Sequence, residues 1–172
     1  MKITAYEEYG LRIILRLARL SEERKDLRLA KLQNDANELV SLNEIASSEG
    51  ISTENTAAIL SKLRDAELIE SVRGKYGGYK LKRSPAEINL FQVVSGISKE
   101  TFDLSFCETH SGNKETCVHN TECTVRSVWT SVTSMINNFL ASITLEQLMQ
   151  NESDFSTQLE SSFDLKEVLQ NV

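Results

Sequence analysis

The sequence predicts a mainly α-helical protein with a small β wing: a winged helix-turn-helix unit followed by a long dimerisation helix. Three features carry that expectation. Two short amphipathic segments meet at a tight turn containing Gly50, the pattern of a helix-turn-helix. A basic, glycine-rich stretch flanked by two short β-type runs follows them directly. A long segment with one continuous apolar stripe comes after a loop that holds all three of the chain's cysteines.

The bulk numbers fit one or two small domains. The chain has 172 residues, 40% hydrophobic and 26% charged. No run of apolar residues is long enough for a membrane helix. The opening MKITAYEEYG lacks the apolar core of a signal peptide, so a cytoplasmic location is expected, where reduced thiols are the default. The net charge of −6 runs against a nucleic-acid partner, but its distribution does not. Between Ser71 and Arg83 lie five bases (Arg73, Lys75, Lys80, Lys82, Arg83) and no acid, whereas six acids and one lysine lie between Glu146 and the end. Affinity for DNA follows local phosphate neutralisation, not whole-chain charge.

Each element has its own signals. Residues 4–20 space Tyr9, Leu11, Ile13, Ile14, Leu17 and Leu20 as a helix does, with Thr4 as N-cap and Glu7 as its capping-box partner. The charge-rich stretch 21–40 is compatible with an extension of that helix or with a polar connector. Ser41 and Glu44 form a second capping box, Leu42, Ile45 and Ala46 continue the helix, and Gly50 stops it. Ser52 opens the next helix, which carries Ala57, Ile59, Leu60 and Leu63. Strands at Leu68–Val72 and Lys80–Lys82 then flank RGKYGGY, where Gly74, Gly77 and Gly78 allow a tight tip. Pro85 closes the unit, and Asn89 caps a short helix through Val93 and Val94 to Gly96. Beyond the cysteines, Val125, Val128, Trp129, Val132, Met135, Ile136, Phe139 and Leu140 recur at helical steps, and Ile143, Leu145 and Leu148 follow Ser142. The expected division is a DNA-binding domain over 1–98, a cysteine loop over 99–124, a dimerisation helix with its extension over 125–150, and an acidic tail over 151–172.

Candidate DNA contacts follow from this layout. Ser52, Thr53, Asn55 and Thr56 occupy the start of the second helix, where a recognition helix meets base edges; for Ser52 a plain N-cap role is the competing reading. Arg73 and Lys75 at the wing reach phosphates or a narrow minor groove. The stripe over 125–140 is either core or a self-pairing face. Little chain remains to cover it, so a two-fold homodimer is expected, and with it a palindromic double-stranded operator.

The cysteines admit three readings. Nine residues separate Cys107 from Cys117 and five separate Cys117 from Cys123, in a short polar loop. Such a loop can wrap an iron–sulfur cluster, bind zinc with help from His110 and His119, or carry redox-switching thiols. An odd count argues against a disulfide framework. No nucleophile–base set, phosphate loop or paired-carboxylate cleft is visible, so no enzyme is expected.

These residues resemble a known group. Ile51-Ser52, the stretch Leu60-SKLRDAELIESVRGKYGGYKL, Thr4, Tyr9, the cysteine loop, Trp129 and Phe139-LASITLEQL are similar to the IscR/NsrR-like (Rrf-type) winged helix-turn-helix iron–sulfur transcription regulators, over roughly residues 1–148. The wing motif is carried by Ser71, Arg73, Gly74, Gly77, Gly78 and Tyr79. The resemblance implies a homodimer and a 2Fe–2S or 4Fe–4S cluster held by Cys107, Cys117 and Cys123. Two departures stand out: the first cysteine gap is longer than usual, and the histidine ligand expected three residues after the last cysteine is Arg126. Arginine cannot ligate a metal. Some members with that loss resemble this chain in having an acidic residue near the start of the first helix. The resemblance therefore points to Glu8 of the partner subunit as fourth ligand, with Glu7 a solvated neighbour and His110 and His119 the rivals.

The implied function is a DNA-binding regulator whose operator affinity is controlled by the cluster, sensing redox state, nitric oxide, oxygen or iron. A zinc- or thiol-based regulator with the same DNA head is the alternative, and a metallo-redox protein without DNA function a more distant one.

Overall fold

Helix α1 (Ala5–Leu29) is the axis on which the rest packs. The computed structural model describes residues 3–29, 39–74, 76–98, 111–119 and 121–162, without the side chains of residues 28, 161 and 162. Against α1 lie α2 (Leu42–Glu49), α3 (Thr53–Asp65), α4 (Leu90–Ile97), α6 (Leu145–Met149) and the second of two strands, β1 (Ile69–Val72) and β2 (Gly78–Leu81). A 3₁₀ turn at Pro85–Glu87 links wing to α4, helix α5 (Thr124–Ala141) packs on α4, and α7 (Glu152–Ser162) closes the described chain. Of the two readings of 21–40, helix extension holds as far as Leu29; residues 30–38 lie outside the described residues. The tail forms α7 as far as Ser162, with Phe155 and Leu159 against the core.

The caps are where the sequence places them. Glu44 N–H donates to Ser41 Oγ at 3.2 Å and Asn55 N–H to Ser52 Oγ at 3.3 Å. Gly50 ends α2 at φ 66°, a left-handed conformation glycine adopts without strain. Ile51 N–H then bonds Ala46 O at 3.1 Å, which makes the turn of the helix-turn-helix. At the start of α1, Thr4 N–H donates to Glu7 Oε2 at 2.6 Å, the Glu7 half of the expected box. Glu7 is not solvated as expected: it is 2% exposed, because its face of α1 turns inward.

The core joins Ile13, Ile14 and Leu17 of α1 to Ile45, Ile59, Leu60, Leu63, Val93, Ile143 and Leu145. Each such side chain contributes roughly 2 kcal/mol by leaving water. Asn89 and Thr144 pair across an isolated antiparallel bridge, Leu90 N–H to Ile143 O and Leu145 N–H to Ile88 O, both at 2.9 Å. The same two residues cap α4 and α6, so the chain after α5 is latched back onto the winged unit at two helix starts. Among the described residues α5 meets this core through Phe139 and Leu140 at its far end, and Thr133 is buried midway along it. Among the described residues its earlier turns leave their apolar face uncovered: Met135 is 72% exposed, Val125 60% and Trp129 49%.

Candidate nucleic-acid interface and cysteine loop

The first turn of α3 presents Ser52, Thr53, Glu54 and Asn55 to solvent. Thr56 is different from the expectation. It is 0% exposed, with Oγ1 unpaired among the described residues, because Thr56, Ile59, Leu60 and Leu63 make up the inward stripe of the helix. It packs under the helix and cannot meet a base edge from there. Glu54 stands in the exposed turn instead, a residue the sequence reading passed over. Its own backbone N–H and the Thr53 hydroxyl hold its carboxyl below the usual range, against a small opposing effect of burial and with further help from Ser52. The signal for it was available: an acid at the second helical position belongs on the N-terminal donors.

The wing pairs Ile69 with Leu81, Glu70 with Lys80, Ser71 with Tyr79 and Val72 with Gly78. Val40 adds itself to the outer edge, exchanging bonds of 2.9 and 2.8 Å with Tyr79. Gly78 is needed for that approach: a Cβ there would sit 2.6 Å from Val40 O. The basic run is less free than its composition suggests. Lys80 Nζ bonds Glu70 at 2.9 Å and Lys82 Nζ bonds Glu67 at 3.0 Å. Exposed pairs of this kind are weak, so both lysines remain recruitable, but Arg73, exposed beside the tip, is the better placed cation. Lys75 lies outside the described residues.

Helix α1 grips α2 at both ends. Glu49, with a side chain 10% exposed, receives Arg12 Nε at 3.0 Å and Arg16 Nε at 2.6 Å, while Arg12 also donates to Glu49 O at 2.6 Å. At the other end Arg24 Nη2 meets both oxygens of Glu44 at 2.6 and 2.7 Å. These clamps fix the helix-turn-helix on α1, and no local pattern in the sequence announces them.

In the cysteine loop, Cys117 and Cys123 are free thiols of intermediate exposure. Cys123 caps α5: the backbone N–H of Arg126 donates to its Sγ at 3.3 Å. Arg126 Nη2 donates to His119 O at 2.9 Å. His119 and Glu8 are exposed, Glu8 in the first turn of α1. Cys107 and His110 lie outside the described residues, and among the described residues no three His, Cys, Asp or Glu side chains converge on one point. No helix among them is long and apolar enough to cross a membrane.

A capped helix-turn-helix carried straight into a two-stranded basic wing, on one long scaffolding helix, defines a winged-helix transcription regulator. The family model Rrf2, described as an iron-dependent transcriptional regulator, matches residues 27–151, and the chain belongs to that family. It is similar to the HTH-type transcriptional regulator IscR of Vibrio campbellii, 32% identical over 151 residues, 88% of this chain and 79% of that protein. It is similar to the HTH-type transcriptional regulator NsrR of Bacillus licheniformis, 27% identical over 152 residues, 88% of this chain and 94% of that one. Among solved structures it resembles CymR, the global cysteine regulator of B. subtilis, with a TM-score of 0.62, 26% identity and coverage of 87% of this chain and 96% of the other.

Proposed function

We propose that this protein is a homodimeric, cytoplasmic regulator whose affinity for a palindromic operator is set by an iron–sulfur cluster. Cys107, Cys117 and Cys123 supply three thiolates and Glu8 of the partner subunit the fourth ligand. The observation that carries this reading is Cys123 at the cap of α5: its sulfur accepts a backbone N–H, as cluster thiolates do, and the uncovered apolar face begins two residues later at Val125. Of the donor set, Cys117 and Cys123 are free thiols of intermediate exposure, which suits ligation. When bound, such a cluster supplies a redox-active, chemically labile centre.

The chain's own residues do the rest. Arg126 holds the carbonyl of His119, in the stretch between the two described cysteines. Val125, Val128, Trp129, Val132 and Met135 pair with their copies across a two-fold axis, which brings the first turn of one α1 toward the other chain's loop. Ser52, Thr53, Glu54 and Asn55 meet base edges, while Arg73 and Lys75 meet phosphates. The two cluster states regulate only if they bind DNA with different affinity. The test of the ligand set is single substitution of Glu8, His110 and His119 by Ala, with cluster spectra recorded anaerobically. A changed cluster in Glu8→Ala alone supports the assignment; an unchanged one there, beside a changed one in either histidine variant, overturns it.

The likeness to CymR favours one second reading: the same DNA head with the free thiols of Cys117 and Cys123 as the switch, or with zinc on them. Zinc and iron analysis separates it from the first.

A further inference from the structure

Three elements converge on one ammonium group. Lys62 of α3 sends Nζ to the carbonyl oxygen of Ile97 at 2.8 Å. The same Nζ lies 4.9 Å from the centroid of the Tyr6 ring, a cation–π distance. Ile97 is the last residue of α4, so its carbonyl is one that a helix leaves without an internal donor, at the end that favours a cation. After Ser98 the chain runs on to Cys107. Tyr6 lies in the first turn of α1, two residues before Glu8.

The junction beneath is tight. Ile97 is 2% exposed and faces Gly10 of α1 so closely that a Cβ on Gly10 would come within 1.9 Å of Ile97 Cδ1. The end of α4 therefore cannot approach α1 further without displacing it. The other anchors of α3 (Ile59, Leu60 and Leu63) are apolar and non-directional. Among the described residues the Lys62 bond is a directional link between α3 and the end of α4, after which the chain runs on to Cys107.

We infer that Lys62 is a positioning residue coupling the cysteine loop to the recognition helix. It sets the pose of α3 through the carbonyl end of α4 and the first turn of α1, the two segments leading to the ligands assigned above. The inference rests on the cluster-controlled reading. A movement of either segment takes away the oxygen or the aromatic face that holds Nζ, and α3 is free to tilt on its apolar anchors.

The test compares the full-length parent with Lys62→Met, Lys62→Arg and Tyr6→Leu under anaerobic conditions. The probe is a palindromic duplex selected by the parent from a random library, titrated against cluster-loaded and cluster-free protein over a range of salt. The parent should show an affinity ratio of at least about five-fold between the two forms. Lys62→Met should keep the parent's visible spectrum yet bring that ratio to within about two-fold of one, with Lys62→Arg restoring most of it and Tyr6→Leu lowering it in part. A ratio unchanged in Lys62→Met overturns the inference, whatever Tyr6→Leu does. So does a uniform loss in both forms with a salt slope smaller by about one, which marks a simple phosphate contact. A parent ratio of one refutes cluster control itself, and the coupling with it; a parent ratio well above one that Lys62→Met leaves intact refutes the coupling alone.

Discussion

Arg126 Nη2 holds the carbonyl oxygen of His119 at 2.9 Å while its backbone N–H points at Cys123 Sγ from 3.3 Å. The residue standing where the resemblance places a histidine ligand thus ties down the loop between Cys117 and Cys123. Arg126→Ala keeps the backbone donor and loses the clamp. A hydrogen bond of this kind contributes about 1 kcal/mol, so cluster loss to a chelator should quicken by roughly five-fold. Decay of visible absorbance under anaerobic conditions measures it, and an unchanged rate contradicts the role.

Arg73→Ala should weaken operator binding and reduce the slope of log affinity against log salt by about one unit. Its guanidinium is exposed at the wing tip, where the neighbouring Lys80 and Lys82 are partly occupied by Glu70 and Glu67. Binding that matches the parent across salt concentrations removes the wing from the interface.

Glu54 makes the opposite prediction. Its carboxyl, held below the usual range by its own backbone N–H and by Thr53, is charged at neutral pH beside the proposed groove contacts. In a groove it can accept from a cytosine amine and is repelled by phosphates. Glu54→Gln should raise affinity for non-operator DNA several-fold and flatten base preference near the helix start. Competition against random-sequence duplex reads both effects, and equal preference in parent and variant places Glu54 outside the groove.

Val132→Asp should break the proposed dimer. Val132 lies on the uncovered face of α5, and an unpaired charge buried by its pairing costs several kcal/mol, to order of magnitude. Sedimentation velocity decides: a folded variant still sedimenting as a dimer puts the self-contact elsewhere.

Glu49→Ala should lower stability by roughly 1–3 kcal/mol, since the nearly buried carboxylate receives both Arg12 and Arg16. The two arginines stay partly hydrated, which limits the loss. Denaturant unfolding with an unchanged midpoint would show that the clamp contributes nothing.

What could be read from sequence was local. The caps at Ser41, Ser52 and Asn89 rest on bonds spanning three residues, so composition and spacing sufficed. Thr56 falls with Ile59, Leu60 and Leu63 on the buried stripe, so the helical period places it inward although its polar side chain suggests the exposed face. Glu7 misled in the same way, an acid on the inward side of α1. The Arg12 and Arg16 clamps on Glu49 join residues 37 and 33 positions apart, and no periodicity announces such pairs. Neutralisation of Lys80 by Glu70 needs the strand register, which only the folded hairpin supplies. The ligand set is least legible of all, because its proposed fourth member belongs to another chain.

The most direct test of the central claim is iron, sulfide and zinc analysis of the anaerobically purified protein, with visible spectra and operator affinity recorded before and after nitric oxide or air. The account predicts iron and sulfide together, a cluster absorbance that nitric oxide or air removes, and a change in operator affinity that accompanies the loss. Zinc in place of iron, or an operator affinity identical before and after cluster loss, would contradict it.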